Sequence, residues 1–106
     1  MIQPTEKQIA HAKFWKKFLR LTRGRVPVMR ALHVMWEEET EPGLKKAAKT
    51  LREKIDNGST MSDAMKEQDN IFSPSILELI RTAEKTGAWD EILEEISSGL
   101  REGIFD

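Results

Sequence analysis

The amino-acid sequence predicts an all-α fold, a bundle of about six antiparallel helices within a single domain. Two observations carry this prediction. Apolar residues recur at helical spacing in six successive segments of the chain. Most of these segments begin at a capping hydroxyl or a proline, or end at a glycine, which are the residues that favour helix starts and stops. The short stretches between the segments predict tight turns, which pair neighbouring helices antiparallel.

The first predicted helix runs from about residue 6 to residue 23. Thr5 and Gln8 fit a capping box, in which each side chain satisfies a backbone N–H group of the first turn. Gly24 ends this helix, and Val26-Pro27 begins the second, since proline suits a first helical turn. The expected apolar stripes are Ile9, Phe14, Trp15, Phe18, Leu19 and Leu21 on the first helix, and Val28, Met29, Leu32, Met35 and Trp36 on the second.

The third predicted helix opens at Pro42 and ends at Asn57-Gly58. Either Ser59 or Thr60 can cap a short fourth helix, and Asp69-Asn70 breaks the chain after it. The expected buried residues are Leu44, Ala47, Ala48, Leu51 and Ile55 on the third helix, and Met61, Ala64 and Met65 on the fourth.

The fifth predicted helix is capped by the Ser73 hydroxyl, with Pro74 at its first position. Gly87 is expected to end it in the left-handed conformation, and the sixth helix starts at once. The apolar stripes are Ile76, Leu77, Leu79, Ile80 and Ala83 on the fifth helix, and Trp89, Ile92, Leu93, Ile96 and Leu100 on the sixth. We expect residues 101–106 to form a frayed tail.

Composition limits the possible functions. With 106 residues, 39% hydrophobic and 33% charged, the chain fits one domain with a modest core. It has no cysteine, which excludes disulfides, thiolate metal sites and cysteine nucleophiles. No run approaches the roughly 18 to 20 apolar residues that a membrane span needs. We therefore expect the chain as given to be soluble.

Charge is unevenly distributed, although the net charge is only −1. Residues 1–35 carry +7, residues 36–72 carry −3 and residues 73–106 carry −5. This asymmetry suits an acidic partner, an anionic membrane surface or a second copy of the chain, which makes a homodimer a hypothesis; the alternative is that these are ordinary solvated faces that attract each other within the fold. The candidate contact residues are Lys13, Lys16, Lys17 and Arg20 on the first helix, and Glu84, Asp90, Glu91, Glu94 and Glu95 near the last two.

The sequence offers no recognisable catalytic, cofactor or metal site. His11 and His33 lie on different predicted helices, and we expect neither to have an acidic or histidine partner one helical turn away. The acidic run Glu37-Glu38-Glu39 lacks the defined loop spacing of a cation site and is interpreted as a solvated helix end, with partner or cation binding as the alternative. No phosphate-binding glycine loop and no nucleophile elbow is present. We therefore expect a protein that is not an enzyme and needs no cofactor.

Three motifs, in order and without a gap, resemble those of one family. The stretch FWKKFLRLTRGRVPVMRAL from Phe14 to Leu32 is similar to F-x-R-x-L-x-x-L-x-x-A-G-V-P-L-x-x-A-L. The stretch GSTMSDAM from Gly58 is similar to G-x-S-L-S-E-A-L, and the segment from Phe72 to Leu93 resembles F-P...GE-x-S-G-x-L-D-E-V-L. These are patterns of the type II secretion system protein F domain. The matching residues are Val26, Pro27, Ala31, Leu32, Gly58, Ala64, Phe72, Pro74, Glu84 and Gly87.

The chain departs from these motifs at two positions. Arg25 stands where the family has a glycine before V-P, and Gly24 lies one residue earlier. The turn is therefore expected to be made differently or to shift by one residue. Ala83 replaces the glycine of the family's G-E pair. A glycine there would allow a neighbouring helix to approach closely, and the alanine methyl group is expected to limit that approach.

The resemblance covers roughly residues 14–100 and implies a cytoplasmic domain of an inner-membrane platform protein, at the cytoplasmic face of the bacterial inner membrane. It implies a role in coupling a cytoplasmic assembly ATPase to pilin or pseudopilin assembly, in type IV pilus biogenesis or type II protein secretion. The implied partners are that ATPase, other inner-membrane components of the machine and a second copy of the chain. Because this domain alternates with transmembrane helices in the family, the tail is expected to lead to a membrane span in the intact protein.

The role of Glu84 stays open between a partner contact and a structural part in the turn at Thr86-Gly87. The alternative function is a free-standing helical DNA-binding module or a soluble adaptor. A pI near 6.1 and the lack of a base-reading helix face argue against nucleic acid.

Overall fold

The computed structural model describes residues 3–68 and 71–105, and these residues form six α-helices and no strand. The helices are α1 Glu6–Arg23, α2 Val28–Glu38, α3 Pro42–Asp56, α4 Met61–Lys66, α5 Pro74–Thr86 and α6 Trp89–Arg101. The all-α prediction is therefore confirmed. The predicted chain break at Asp69-Asn70 lies outside the described residues.

Most helix ends form as the sequence predicts. In the capping box of α1, Thr5 Oγ1 accepts a hydrogen bond from Gln8 N–H at 3.0 Å, and Gln8 Oε1 accepts one from Thr5 N–H at 2.8 Å. Ser73 caps α5 by accepting from Ile76 N–H at 3.2 Å. Gly87 ends α5 with a left-handed φ of 79°, where a residue with a Cβ would be strained.

The helices form a closed ring of contacts. Each helix packs against the next one in the chain, and α1 packs against α6 to complete the ring. Helices α1 and α6 run antiparallel, because contacts move toward the start of α6 as they move toward the end of α1. The contacts are Gln8 with Phe105, Lys16 with Glu94, and Arg23 with Asp90.

Helix α1 supplies the centre of the core. Phe14, Trp15, Phe18 and Leu19 are each at most 2% exposed. The ring of Phe72, just before α5, lies 5.7 Å from the Trp15 ring and packs against it at a tilt of 57°. Aromatic pairs at this separation add attraction beyond the area that they bury. The aromatic cluster therefore ties the start of α5 to the helix at the centre of the ring.

The apolar face of α1 differs in one respect from the predicted stripe. Its buried side chains follow the helical spacing through Gln8, His11, Ala12 and Trp15. Ile9 falls off this spacing and is 39% exposed, so its predicted place in the stripe was wrong. The core at this end of α1 is therefore closed by two polar side chains.

The turn between α1 and α2 keeps its register through a strained residue. Gly24 ends α1 with an ordinary φ of −78°, whereas Arg25 takes a φ of 67°. Within residues 3–68 and 71–105, Arg25 alone combines a side chain with a positive φ. The turn is thus not shifted to Gly24, and the arginine itself adopts the conformation that a glycine would adopt freely. For a residue with a Cβ this conformation costs about 1–2 kcal/mol.

Helix α2 starts one residue later than predicted. Pro27 is its N-cap and makes no side-chain capping bond, so Val28 is the first helical residue. Its side chain is 42% exposed, although the sequence places it on the apolar stripe. The first-turn N–H groups of α2 therefore have no side-chain cap.

The residues after α6 fold back on the bundle up to Phe105. Ile104 N–H donates to the Gly99 carbonyl at 2.8 Å, and Gln8 Nε2 donates to the Phe105 carbonyl. The Phe105 ring lies on Gly99 so closely that an added Cβ would overlap it. Residues 102–105 therefore make specific contacts with the bundle, where the sequence predicts a frayed tail.

Ala83, the second position at which the chain departs from the family motif, is fully buried with its methyl group in the core.

We expect Arg25→Gly to stabilise the protein. The substitution removes the left-handed strain of a residue with a Cβ, offset in part by the greater entropy of glycine in the unfolded chain. The net gain in unfolding free energy should be about 1 kcal/mol, measured by urea denaturation. Arg25→Ala is the matched control, because it removes the same charge but retains the Cβ. Equal unfolding free energies for the Arg25→Gly and Arg25→Ala variants would contradict the claim that the left-handed backbone at residue 25 is strained.

Candidate partner-binding groove

An open, mainly apolar groove of about 550 Å³ lies where the ends of the six helices meet. All six helices, together with the turn before α4, contribute to its wall. We call this feature the apolar groove. Its lining residues are Phe18, Thr22, Val28, Ile55, Ser59, Thr60, Met61, Glu84, Trp89, Asp90 and Leu93.

The accessible part of the apolar groove has the composition of a protein contact. Val28 is 42% exposed, and Ile55 and Trp89 are partly exposed beside it. Phe18 and Leu93 form a buried floor. A tryptophan that presents one side to solvent, next to aliphatic side chains, is typical of residues that dominate binding energy at protein interfaces. The arrangement can hold an apolar side chain or one face of a helix.

Glu84 holds one wall of the apolar groove in place. Its carboxylate accepts two hydrogen bonds from Ser62, one from the backbone N–H at 2.9 Å and one from Oγ at 2.6 Å. Ser62 lies in the first turn of α4, whose N-cap Thr60 accepts from Asp63 N–H at 3.1 Å. The negative carboxylate therefore satisfies a free N–H group at the positive end of α4. Glu84 thus fixes α4 to α5.

This contact differs from the turn-holding role suggested for Glu84 by the sequence. The turn at Gly87 is instead supported by Thr86, whose Oγ1 accepts from Ala88 N–H at 3.2 Å and donates to the Thr82 carbonyl at 2.8 Å. The partner of Glu84, Ser62, lies 22 residues away in the chain. Sequence spacing gave no signal for this pair.

The predicted basic and acidic contact residues partly pair with each other within the chain. Lys16 Nζ lies 2.9 Å from Glu94 Oε2, and this hydrogen bond lowers the pKa of the Glu94 carboxyl. Arg23 Nε lies 3.8 Å from Asp90 Oδ2, an exposed and loose ion pair at the rim of the apolar groove. Such surface pairs contribute little to stability. These contacts join α1 to α6 across the closing edge of the ring.

Of the remaining predicted contact residues, one forms an ion pair within the chain and four face solvent. Lys17 pairs with Glu38 at the end of α2. Lys13, Arg20, Glu91 and Glu95 are exposed, and none of them forms an ion pair with another residue of the described part of the chain.

The motif residues mostly shape the bundle. Ala31, Leu32 and Ala64 are at most 1% exposed in the core, and Val26 and Phe72 pack against it. Pro27 and Pro74 begin helices, and Gly58 and Gly87 take positive φ values in turns. The turns at Gly58 and Gly87 precede the groove-lining starts of α4 and α6.

A smaller cavity of about 380 Å³ lies at the other end of α1, beside His11, Glu41 and Leu44. The His11 ring is 7% exposed and packs edge-on against Phe72 at 6.2 Å. Burial lowers the pKa of His11, and nearby Lys7 acts in the same direction. Both effects favour the neutral form of the imidazole, which suits a packing role.

His33 has a polar partner that the sequence analysis overlooked. Its Nε2 lies 3.0 Å from Glu37 Oε1, one helical turn along α2, so the expectation of no acidic partner was wrong. The spacing of four residues was visible in the sequence. Across residues 3–68 and 71–105, no group of three or more histidine, cysteine or acidic side chains is placed to hold a metal ion. In the same part of the chain, no helix has both the length and the apolar content needed to cross a bilayer.

Comparison with known proteins agrees with the motif pattern. Residues 14–104 match the sequence model of the family described as type II secretion system (T2SS), protein F. The chain belongs to this family. The match begins within α1 and ends in the segment after α6, so it includes the second half of α1 and all of α2 to α6.

Two curated relatives carry the family's machine names. The type IV pilus assembly protein PilC of Myxococcus xanthus is 26% identical over 85 residues, which are 80% of this chain and 20% of that protein. The type II secretion system protein F of Vibrio cholerae is 22% identical over 82 residues, which are 77% of this chain and 20% of that protein. The chain thus spans about a fifth of the length of these type II secretion system protein F relatives.

We expect Glu84→Gln to lower the unfolding free energy by about 1.5–3 kcal/mol, the usual range for a hydrogen bond to a charged group. The exposed Glu95→Gln is the matched control and should change stability little. Ser62→Ala and the double variant complete a double-mutant cycle, in which the Glu84 and Ser62 effects should not add. Full additivity would show that the two side chains are energetically independent.

We expect unfolding free energy to fall as pH drops below 6.5, the ordinary pKa of His11. Because the pKa of His11 is lower in the folded state, the unfolded chain binds more protons between the two pKa values, and acid therefore favours unfolding there. The lowered pKa values of Glu41 and Glu94 act in a separate range, below 4.5. His11→Gln should flatten the stability profile just below pH 6.5, measured by urea denaturation. Parallel profiles would contradict this role.

Proposed function

We propose that this chain is the non-catalytic cytoplasmic domain of an inner-membrane platform protein, which couples an assembly ATPase to pilin or pseudopilin assembly. The machine would be a type IV pilus or a type II secretion system. Family membership supports this proposal, as do the names of the two relatives, one a pilus assembly protein and the other a secretion system protein. In this function the domain transmits contact between partners and catalyses no reaction.

The apolar groove is the observation that carries the proposal. An occupant that packs against Val28, Ile55 and Trp89 touches the ends of helices from both halves of the chain. A shift of that occupant would act on the whole ring of helices, because each helix packs against its neighbours. A groove of this kind suits the mechanical coupling of one protein to another better than it suits the chemistry of an enzyme.

The proposed partners of the intact protein are the cytoplasmic ATPase, other inner-membrane components and a second copy of the chain. The exposed charges Lys13 and Arg20 on α1 and Glu91 and Glu95 on α6 support association between copies, because they are opposite in sign. Sedimentation that shows only monomer at high protein concentration and low salt would count against the second copy.

We expect Val28→Asp to abolish coupling without unfolding the domain. Val28 is the first residue of α2, where the helix dipole favours a carboxylate by about 0.3–1 kcal/mol. The same carboxylate places a charge at the apolar rim where the partner is proposed to bind. In cells that make the intact protein, pilus assembly or secretion should fall at least about tenfold, and co-purification with the ATPase should weaken.

Ile9→Asp is the matched control. Ile9 is 39% exposed, against 42% for Val28, and it lies in the first turns of α1 outside the apolar groove. Normal pilus assembly or secretion is expected for this variant. Normal pilus assembly or secretion in cells that make the Val28→Asp variant, with the variant and the ATPase at normal levels, would rule out the groove as the coupling contact.

A further inference from the structure

Three cationic side chains of α3 lie close to the ring of one tryptophan of α2. Lys45 Nζ and Lys49 Nζ each lie 5.8 Å from the centre of the Trp36 ring, and Arg52 Cζ lies 5.5 Å from it. We call these four residues the Trp36 cation cluster. The cations occur at the spacing i, i+4 and i+7, so they follow one face of α3 over about 10 Å. Trp36 itself is partly exposed between α2 and α3.

The three cations of the Trp36 cation cluster have no direct carboxylate partner among the described residues; the Glu37 carboxylate reaches Arg52 only through His33. Within the described residues, none of the three cations forms an ion pair with an acidic side chain. Lys45 Nζ donates to the Trp36 carbonyl and, at 3.3 Å, to that of Glu37, and Arg52 donates to His33 Nδ1. These bonds hold the cations in place without cancelling their charge. Positive charge is therefore concentrated on one face of the fold.

We propose that the Trp36 cation cluster binds the anionic headgroups of a phospholipid membrane, with α3 lying along its surface. Lysine and arginine near an anionic bilayer are attracted by its surface potential, and tryptophan favours the boundary between headgroups and acyl chains. The cluster combines both features on one face. This inference concerns a surface separate from the apolar groove and goes beyond the proposed coupling function.

The geometry favours an extended anionic surface over a single small anion. Lys45, Lys49 and Arg52 follow one face of α3 beside Trp36, and they line neither the apolar groove nor the cavity beside His11, so neither recess would hold a small anion among them. The remainder of the chain also disfavours a nucleic acid, because without these three cations it carries a net charge of −4, which would oppose phosphates around a wide contact.

The test measures co-sedimentation of the chain with phosphatidylcholine vesicles that contain or lack phosphatidylglycerol. We expect binding only to the anionic vesicles, with a loss of affinity as salt increases. Lys49→Glu should weaken binding about tenfold, since each cation near an anionic surface contributes appreciably to adsorption. Lys49 is exposed in the middle of α3 and glutamate is a good helix former, so the fold should be retained.

Lys7→Glu is the matched control, because it changes the net charge equally at an exposed position in the first turn of α1 and lies outside the candidate contact residues. Its binding should remain close to that of the unchanged chain. Equal weakening by the two substitutions would overturn the proposal in favour of a general charge effect. Absence of binding to anionic vesicles would also overturn it.

Two further arms identify the ligand. Quenching of Trp36 fluorescence by brominated phosphatidylglycerol, and its loss in a Trp36→Phe variant, would place the indole at the membrane as proposed. Release of the chain from vesicles by inorganic phosphate at constant ionic strength would assign the cluster to a free anion and overturn the membrane surface. Equally tight binding to duplex DNA, weakened by Lys49→Glu, would overturn it in favour of a nucleic acid.

Discussion

The bundle depends on the burial of the aromatic face of α1. Phe14, Trp15 and Phe18 are almost completely removed from solvent, and the helix that carries them contacts both α2 and α6. Burying each of these side chains stabilises the fold by roughly 1.5–3 kcal/mol, a large share of the stability of a small domain. The other helices have shorter apolar faces and depend on α1, or on neighbours that contact it. Without this aromatic face, α1 would lose its packing against α2 and α6.

A second constraint acts on α4. This helix has six residues, too few to be stable in isolation, and the cost of starting a helix is not repaid within so short a segment. Its position is fixed by Met61 and Met65 in the core and by the Glu84 carboxylate at its first turn. The apolar groove exists because these contacts set the start of α4 beside the start of α6. A partly buried charged hydrogen bond thus shapes a surface made of apolar side chains.

Much of the helical architecture could be predicted from local chemistry. Capping hydroxyls and prolines act within a few residues, so the start of α1 at Thr5 and the stop at Gly87 were readable in the sequence. The start of α2 was less so, because Pro27 is compatible with both the cap and the first helical position. The sequence analysis placed Ile9 on the apolar stripe of α1 because its side chain is hydrophobic. The helical spacing of the buried residues instead places Gln8 on that face.

The site was much harder to predict than the helices. The family motifs named Glu84, but its bond to Ser62 depends on how two helices pack, which no local pattern encodes. The sequence identified the basic residues of α1 and the acidic residues of α6. It could not show that Lys16 pairs with Glu94, because that pair depends on the antiparallel contact of α1 and α6. The Trp36 cation cluster likewise joins residues of two helices. Only the partnership of His33 and Glu37 was accessible from spacing alone.

The contact of Phe105 with Gly99 and Gln8 determines how the bundle would bear a load. It brings the chain beyond α6 next to the first turn of α1, so residues 8 and 105 lie side by side. A pulling force applied at these two points acts at one end of the antiparallel pair of α1 and α6. It separates the two helices turn by turn from that end and does not slide them past each other. The same pair resists compression along its length, because both helices are then loaded together.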